Sequence, residues 1–283
     1  MAIKSVFVMG AGAMGNGIAQ VAAGAGYAVT MEDISEEIID KGRSSISNSL
    51  DRLVKKGSMS ESDKAALLSR ISTTTDLNKA KDADLVIEAI PEVLAIKIDA
   101  FKRLDAICPK HTIIASNTSS LPISGMGAVT RRPDKVVGIH FMNPVPVMTG
   151  VEIICGMHTS SETMQASRDF VKSLGKEPCE ARDYGGFIVS RLVDALMNEA
   201  IRCVMDGNKA EEVDKAMRLC CNFPIGPLEL CDLVGADVVF HGLETLKAEF
   251  GDRFHPAPLL QAMVRAGNLG RKVGCGFYGY TKK

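Results

Sequence analysis

Residues 4–34 read KSVFVMGAGAMGNGIAQVAAGAGYAVTMEDI, and this stretch decides the fold. An apolar run leads into three glycines, Gly10, Gly12 and Gly15, with the spacing G-x-G-x-x-G. In a strand–turn–helix unit, the first glycine makes the turn and the second lets the backbone approach a diphosphate. The third lets the helix pack closely on the strand. The stretch therefore predicts a strand, a tight turn, a helix and a second strand.

The same stretch predicts a dinucleotide site. The helix after the turn would direct the unpaired N–H groups of its first residues, from Ala13 and Met14 onward, at phosphate oxygens. Asp33 lies eighteen residues after Gly15, where a carboxylate would accept hydrogen bonds from the adenosine ribose. A carboxylate there repels a 2′-phosphate, and no Arg follows directly. The predicted cofactor is therefore NAD rather than NADP.

Three other interpretations of this stretch compete with the nucleotide site. Residues 5–31 carry no charge, so a membrane span or a signal peptide has to be considered, as does an ordinary glycine-rich loop. Six glycines divide the apolar run into pieces that are too short to cross a bilayer. Because strand, spacing, helix and terminal acid all agree, the nucleotide interpretation is favoured.

Composition limits the remaining classes of function. The chain has 283 residues, 46% hydrophobic and 24% charged, with a net charge of −1. That length favours two domains, and the near-neutral charge argues against nucleic acid or a membrane as partner. The eight cysteines are scattered without metal-ligand spacing, so we expect no metal site. This cysteine usage is typical of a reducing compartment, and we expect a cytoplasmic protein.

The order of predicted elements indicates an α/β fold with two domains. Strands and helices alternate after Asp33, which predicts a Rossmann-type, doubly wound and mainly parallel sheet over residues 1–184. From residue 185 to 283 the pattern is helical, with a broad apolar face near its start that predicts a buried central helix and a dimer contact. Ligands of parallel sheets bind beyond the carboxyl ends of the strands. Glu88, Asn117 and Ser119 lie at such ends and are therefore candidate site residues.

A histidine and a glutamate carry the candidate chemistry. His140 ends one predicted strand and Glu152 lies in the next, across a proline-containing turn. A carboxylate beside the imidazole would fix its tautomer and stabilise its protonated form. An NAD-dependent alcohol oxidation needs a group that exchanges the hydroxyl proton, and His suits this task near neutral pH. From the residues alone, a structural histidine remains an equal alternative.

Four motifs together resemble the short-chain L-3-hydroxyacyl-CoA dehydrogenases, and within them the bacterial 3-hydroxybutyryl-CoA dehydrogenases. They are ASNTSSL at 115–121, HFMNPVPVM at 140–148, GPLEL at 226–230 and GRKVGCGFY at 270–278. The resemblance runs from the first strand nearly to the end of the chain, in order and with matching spacing. Such collinearity is more specific than any single motif.

This resemblance implies roles for individual residues. His140 matches the catalytic acid/base, Glu152 its partner, and Ser119 the serine that hydrogen-bonds the substrate's C3 oxygen, although a polar turn is the alternative for Ser119. Asn117 would lie by the nicotinamide and the substrate. The resemblance also assigns six further residues to the cofactor site: Glu88, Ala89, Ile90, Glu92, Lys97 and Asn143.

The resemblance also implies an acyl-CoA substrate and a homodimer. Arg52 and Lys56 fall four residues apart on one predicted helix and would meet the CoA phosphates. Like charges at that spacing cost roughly 0.2–0.5 kcal/mol, which an anionic ligand would offset. A solvated helix face is the alternative for this pair.

Three departures from the family pattern affect the expected activity. Ser190 stands where the family usually has Asn near the substrate thioester, Gly185 replaces a usual Pro, and Thr149-Gly150 replaces a usual Lys-Leu pair. We expect weaker turnover or an altered acyl preference, with the hydride chemistry kept. Two other functions remain open: an NAD-dependent dehydrogenase of a free hydroxy acid, and a non-catalytic NAD-binding paralogue.

Overall fold

The computed structural model of the protein describes residues 3–280. The chain forms two compact units, of which the first ends at Asp183 and the second begins at Tyr184. This boundary lies one residue before the predicted one. Each unit has its own buried apolar cluster.

The first unit is built on eight strands: β1 Ser5–Met9, β2 Ala28–Glu32, β3 Ile71–Thr74, β4 Leu85–Glu88, β5 Ile113–Ser116, β6 Val136–Phe141, β7 Gly150–Cys155 and β8 Glu177–Arg182. They form one sheet in the order β3-β2-β1-β4-β5-β6-β7-β8. Neighbouring strands are parallel except β6 and β7, which are antiparallel. The predicted Rossmann-type, mainly parallel sheet is confirmed.

Six helices belong to the first unit: α1 Ala13–Gly24, α2 Glu36–Lys55, α3 Glu61–Ser69, α4 Leu94–Ile107, α5 Ile123–Ala128 and α6 Ser161–Ser173. Helix α2 shows why these segments pack on the sheet. Ile39, Ile46 and Leu50 recur on one side and are buried, while the first turn carries two acids that suit the helix dipole. The sequence did not predict α5 or the short 3-10 segment Leu77–Asp82.

The second unit is helical, with α7 Val189–Met205, α8 Ala210–Cys220, α9 Pro227–Val234, α10 Ala236–Phe250 and α11 Pro258–Arg265. Two buried acids join its end to its helices. Asp232 accepts hydrogen bonds from the N–H groups of Phe277 and Tyr278, and Asp214 accepts one from the hydroxyl of Tyr278. These bonds give the Phe277-Tyr278 end of the GRKVGCGFY motif a structural role.

The first helix of the second unit is covered only in part within the chain, so the buried central helix with a dimer contact stays a prediction. Met197 and Ile201 are buried, but Leu192 is 65% exposed and Met205 is 46% exposed. The apolar residues of α7 extend around the helix beyond the face that its neighbours cover. No helix between residues 3 and 280 is long and apolar enough to cross a membrane.

Candidate active site

The glycine turn connects β1 to α1, and each glycine meets a different constraint. Gly10 has a φ of 108°, and a Cβ there would lie 2.6 Å from the carbonyl oxygen of Ala89. A Cβ at Gly15 would overlap the carbonyl oxygen of Gly10, so the helix could not approach the strand. A Cβ at Gly12, in contrast, would meet no atom within 4 Å. The backbone at Gly12 therefore borders open space.

Helix α1 has no side-chain cap at its beginning. Gly12 is the N-cap, and the N–H groups of Ala13, Met14 and Gly15 are among those that an α-helix leaves without an intrahelical acceptor. Unpaired N–H groups and the positive end of the helix dipole, next to open space, fit the diphosphate of NAD.

Asp33 follows β2 and stabilises the glycine turn from the side. Its Oδ2 accepts a hydrogen bond from Ala11 N at 2.8 Å, and its Oδ1 accepts one from Ile34 N at 2.8 Å. The side chain is half-buried. A carboxylate fixed at this position supports the predicted ribose contact, which stays a prediction.

Glu88 and Lys97 form a buried pair at the end of β4. Lys97 Nζ lies 2.5 Å from Glu88 Oε1, which also accepts from Ile90 N at 2.8 Å; Ser116 Oγ donates to Glu88 Oε2 at 2.6 Å. The Lys97 side chain is 1% exposed and the Glu88 side chain is 0% exposed. Their polar groups bind one another and fix the segment of Ala89 and Ile90. Their predicted place beside the cofactor stays a prediction.

Glu92 extends this network to the predicted substrate serine. It accepts hydrogen bonds from Ser119 N at 3.0 Å and from the Thr118 hydroxyl, and its Oε2 lies 3.2 Å from Lys97 Nζ. Burial alone would raise the pKa of the Glu92 carboxyl. The Lys97 ammonium and the bonds from Thr118 and Ser119 together hold this pKa below its ordinary value, which favours the ionised carboxylate.

Asn117 joins the ends of β5 and β6. Its Oδ1 accepts a hydrogen bond from Phe141 N at 2.9 Å, directly after His140. Its own N–H donates to the carbonyl oxygen of Glu88 at 2.8 Å. Because the amide oxygen is used in this way, the Nδ2 group is the part of Asn117 that can donate to a ligand.

His140 and Glu152 lie opposite each other on the antiparallel strands β6 and β7. Their atoms Nδ1 and Oε2 are 2.8 Å apart, and the residues are 7% and 1% exposed. The carboxylate accepts from Nδ1–H, which places the exchangeable position of the neutral imidazole at Nε2. The predicted meeting of these two side chains is present in the structure.

Lys176 holds the turn between β6 and β7, residues 142–149, in place by hydrogen bonds. Lys176 Nζ donates to the carbonyl oxygens of Val145 at 2.7 Å and Met148 at 2.5 Å, and burial lowers the pKa of this ammonium. Asn143 lies exposed in this turn, and its predicted cofactor contact stays a prediction. The usual positive charge at Thr149 is absent, but Lys176 binds the same turn.

The other predicted substrate residues are on helices: Ser190 on α7, and Arg52 and Lys56 at the end of α2. Ser190 is in the first turn of α7, in the second unit, so its predicted role at the substrate is not tested. Arg52 and Lys56 are exposed at the end of α2, and neither forms an ion pair with any residue in the range 3–280. Arg52 also lines a surface groove of about 500 Å³ along α2.

Sequence reasoning missed three supporting residues, Ser116, Thr118 and Lys176. The first two are part of the ASNTSSL motif, but nothing in the motif indicates that their hydroxyls bind Glu88 and Glu92. Lys176 follows a helix-ending glycine and resembles any surface lysine. Across the described residues 3–280, no group of three or more His, Cys, Asp or Glu side chains could hold a metal ion.

Comparisons with known proteins identify the family of the chain. Residues 5–184 match the NAD-binding domain of 3-hydroxyacyl-CoA dehydrogenase, and residues 186–280 match its C-terminal domain. A probable 3-hydroxybutyryl-CoA dehydrogenase of Bacillus subtilis is 47% identical over 285 residues, covering 100% of this chain and 99% of the relative. The 3-hydroxybutyryl-CoA dehydrogenase of Clostridioides difficile is 45% identical, covering 97% of this chain and 99% of the relative.

Among solved structures, the (S)-3-hydroxybutyryl-CoA dehydrogenase of Ralstonia eutropha has a TM-score of 0.95 and 45% identity. The match covers 99% of this chain and 100% of that structure. Both domain models, the full-length relatives and the solved structure agree with the resemblance found in the motifs. The chain therefore belongs to the 3-hydroxyacyl-CoA dehydrogenase family, and its first unit is an NAD-binding domain.

Proposed function

We propose that the protein interconverts (S)-3-hydroxybutyryl-CoA and acetoacetyl-CoA with NAD as the hydride carrier. The observation that carries this proposal is the buried pair of His140 and Glu152 on adjacent strands of an NAD-binding domain. Two full-length relatives, 47% and 45% identical, are named for this four-carbon substrate, which supports the same substrate here.

Proton exchange with the substrate hydroxyl is assigned to His140. In oxidation, Nε2 removes the C3 hydroxyl proton, and the resulting imidazolium is stabilised by the Glu152 carboxylate at Nδ1. In reduction, the protonated ring returns this proton to the new alkoxide. Glu152 is a positioning residue, because it holds the ring and its tautomer without meeting the substrate.

Ser119 and Asn117 stabilise the reacting oxygen and the bound groups. The Ser119 hydroxyl donates to the C3 oxygen as negative charge develops there, and Glu92 fixes the backbone of Ser119 for this task. The Nδ2 group of Asn117 donates beside His140, because its Oδ1 is bound to Phe141 N. This preorganisation lowers the energy needed to orient the polar groups.

The cofactor is held by the glycine turn and Asp33. The N–H groups at the beginning of α1 bind the diphosphate, and the Asp33 carboxylate binds the adenosine ribose. When bound, NAD accepts or supplies the hydride at C3 of the substrate. The Glu88–Lys97 pair keeps Ala89 and Ile90 at the edge of that site.

The CoA phosphates are assigned to Arg52 and Lys56. Both cations are exposed on the last turn of α2 and its C-cap, and neither is neutralised by a carboxylate between residues 3 and 280. Ser190 takes the position of the family's Asn near the thioester. A hydroxyl offers less reach than an amide, so the substrate carbonyl is held more weakly.

Steady-state kinetics with NADH test this proposal. We expect turnover of acetoacetyl-CoA, a lower kcat/KM with ten-carbon ketoacyl-CoA, and almost none with free acetoacetate. Turnover of acetoacetate equal to that of acetoacetyl-CoA would instead support the free hydroxy-acid dehydrogenase. Binding of NADH without turnover of either substrate would support the non-catalytic paralogue.

We also propose a cytoplasmic homodimer. Large apolar side chains of the second unit are exposed, among them Leu192 at 65%, Leu219 at 75% and Val238 at 51%, and such surface is typical of an interface. All eight cysteines are free, which agrees with a reducing compartment. Analytical ultracentrifugation at micromolar concentration should give a dimer mass, and a monomer mass would contradict this.

A further inference from the structure

Glu32 is the buried acid without a protein partner. Six acidic residues between positions 3 and 280 are less than a tenth exposed: Glu32, Glu88, Asp105, Glu152, Asp214 and Asp232. The other five bind cations, hydroxyls, an imidazole or backbone N–H groups. The carboxylate of Glu32, 4% exposed, makes no hydrogen bond or ion pair with any described residue.

The carboxylate of Glu32 keeps a small exposed area. No fully buried polar side-chain atom in residues 3–280 lacks a hydrogen-bond partner, so the unpaired oxygens of Glu32 must keep some exposed area. Glu32 is the last residue of β2, in register with Met9 of β1 and Thr74 of β3. Glu32 itself therefore lies at the carboxyl edge of the sheet, where ligands of this fold bind.

Glu32 precedes Asp33, the residue assigned to the adenosine ribose. The charged groups around it are Asp33 itself, Asp76 before the segment 77–82, and Arg103 on α4. Asp76 is held by Asn78, and Arg103 forms no ion pair within the described part of the chain. Because Asp33 and Asp76 outnumber the single cation Arg103, the surroundings of Glu32 have a net negative charge.

We propose that Glu32 is a second determinant of NAD selection, whose negative charge acts with Asp33 to exclude a 2′-phosphate. An unpaired buried carboxylate is costly to the fold, and charge exclusion gives a reason for its position. The oxygens of Asp33 already accept hydrogen bonds from Ala11 N and Ile34 N, whereas those of Glu32 accept none from residues 3–280.

The proposal predicts a dependence on pH. Burial, followed by the charge of Asp33, raises the pKa of the Glu32 carboxyl from 4.5 to about 7. Above pH 7 the group is ionised and repels a phosphate, whereas below pH 7 it is protonated and does not. Discrimination against NADPH should therefore increase as the pH rises through 7.

The test compares dissociation constants of NADH and NADPH, measured by the fluorescence of the reduced nicotinamide, for the wild type and for Glu32→Gln. Glutamate and glutamine have nearly the same shape, so this variant removes the charge alone. The control is Glu61→Gln, which removes one negative charge at an exposed position at the beginning of α3. We expect NADPH to bind ~10-fold more tightly to Glu32→Gln at pH 8, the order expected for one screened unit charge acting on a phosphate. NADH binding should stay within about twofold.

Measurements from pH 6.5 to 8.5 complete the test. In the wild type, the ratio of the NADPH and NADH dissociation constants should rise with pH, and the rise should be smaller in Glu32→Gln. An unchanged NADPH dissociation constant, or a loss of NADH binding equal to any gain of NADPH binding, would overturn the proposal. Because the readout is binding, it does not depend on the acyl-CoA substrate that is proposed above.

Discussion

Replacing Gly185 with proline, the residue that the family resemblance leads us to expect there, should destabilise this protein. Gly185 N donates a hydrogen bond to Glu249 Oε2 at 2.9 Å, within the second unit. A Cβ at Gly185 would overlap this carboxylate oxygen and lie 3.5 Å from the ring of Phe250. Proline would remove the donor and add the overlapping atoms at once.

The magnitude follows from these two effects. A hydrogen bond to a charged group contributes about 1.5–3 kcal/mol, and overpacking of a buried position adds about 1–3 kcal/mol. We expect Gly185→Pro to lower the free energy of unfolding by about 3–5 kcal/mol. Glu249→Ala removes the carboxylate, so in the double variant much of this cost should disappear, giving a coupling of about 1.5–3 kcal/mol.

The assay is urea unfolding of the full chain, followed by circular dichroism, for the wild type, both single variants and the double variant. Glu244→Ala, a change on the exposed part of the same helix, is the control for the loss of a glutamate. If the effects of Gly185→Pro and Glu249→Ala were additive within about 0.5 kcal/mol, the pairing argument would be refuted.

Three further predictions concern the site. Arg52→Glu together with Lys56→Glu should raise the KM for acetoacetyl-CoA at least ~10-fold with kcat nearly unchanged. Lys55→Glu, at the adjacent cation, is the control and should change this KM much less. A fall in kcat as large as the rise in KM would contradict the phosphate contact. Lys97→Met should lower the free energy of unfolding by about 3–5 kcal/mol, because it leaves the buried carboxylate of Glu88 without its cation. A decrease below about 1 kcal/mol, measured by urea unfolding, would contradict this. Ser190→Asn should raise kcat/KM for acetoacetyl-CoA, and an unchanged or lower value would show that the missing amide does not limit this enzyme.

The sequence predicted the features that depend on local pattern. The glycine spacing, the acid at Asp33 and the alternation of apolar runs follow from the backbone geometry of a strand–turn–helix unit. The pair of His140 and Glu152 was predictable in part, because two strands joined by a short turn bring residues twelve apart to opposite positions. Elements that lack periodicity, such as α5 and the segment 77–82, left no such pattern.

The sequence could not show how polar groups are divided between ligand and scaffold. Glu88 was assigned to the cofactor site because it lies at a strand end, and Lys97 by the family resemblance. Neither argument indicated that their polar groups bind each other. The sequence also could not show which apolar side chains of α7 are covered within the chain, because an apolar side chain has the same letter whether a neighbour covers it or not. Long-range partners such as Glu249 for Gly185 arise only from tertiary contacts.

The central claim, that Glu152 holds His140 for proton transfer, is tested most directly by the kcat/KM of Glu152→Gln for acetoacetyl-CoA. Glutamine keeps the size of the side chain but removes the charge that fixes the ring and its tautomer. We predict a loss of ~10²- to 10⁴-fold with the NADH dissociation constant unchanged, whereas Glu177→Gln on the neighbouring strand should have little effect. A Glu152→Gln enzyme within about threefold of the wild type would contradict the account.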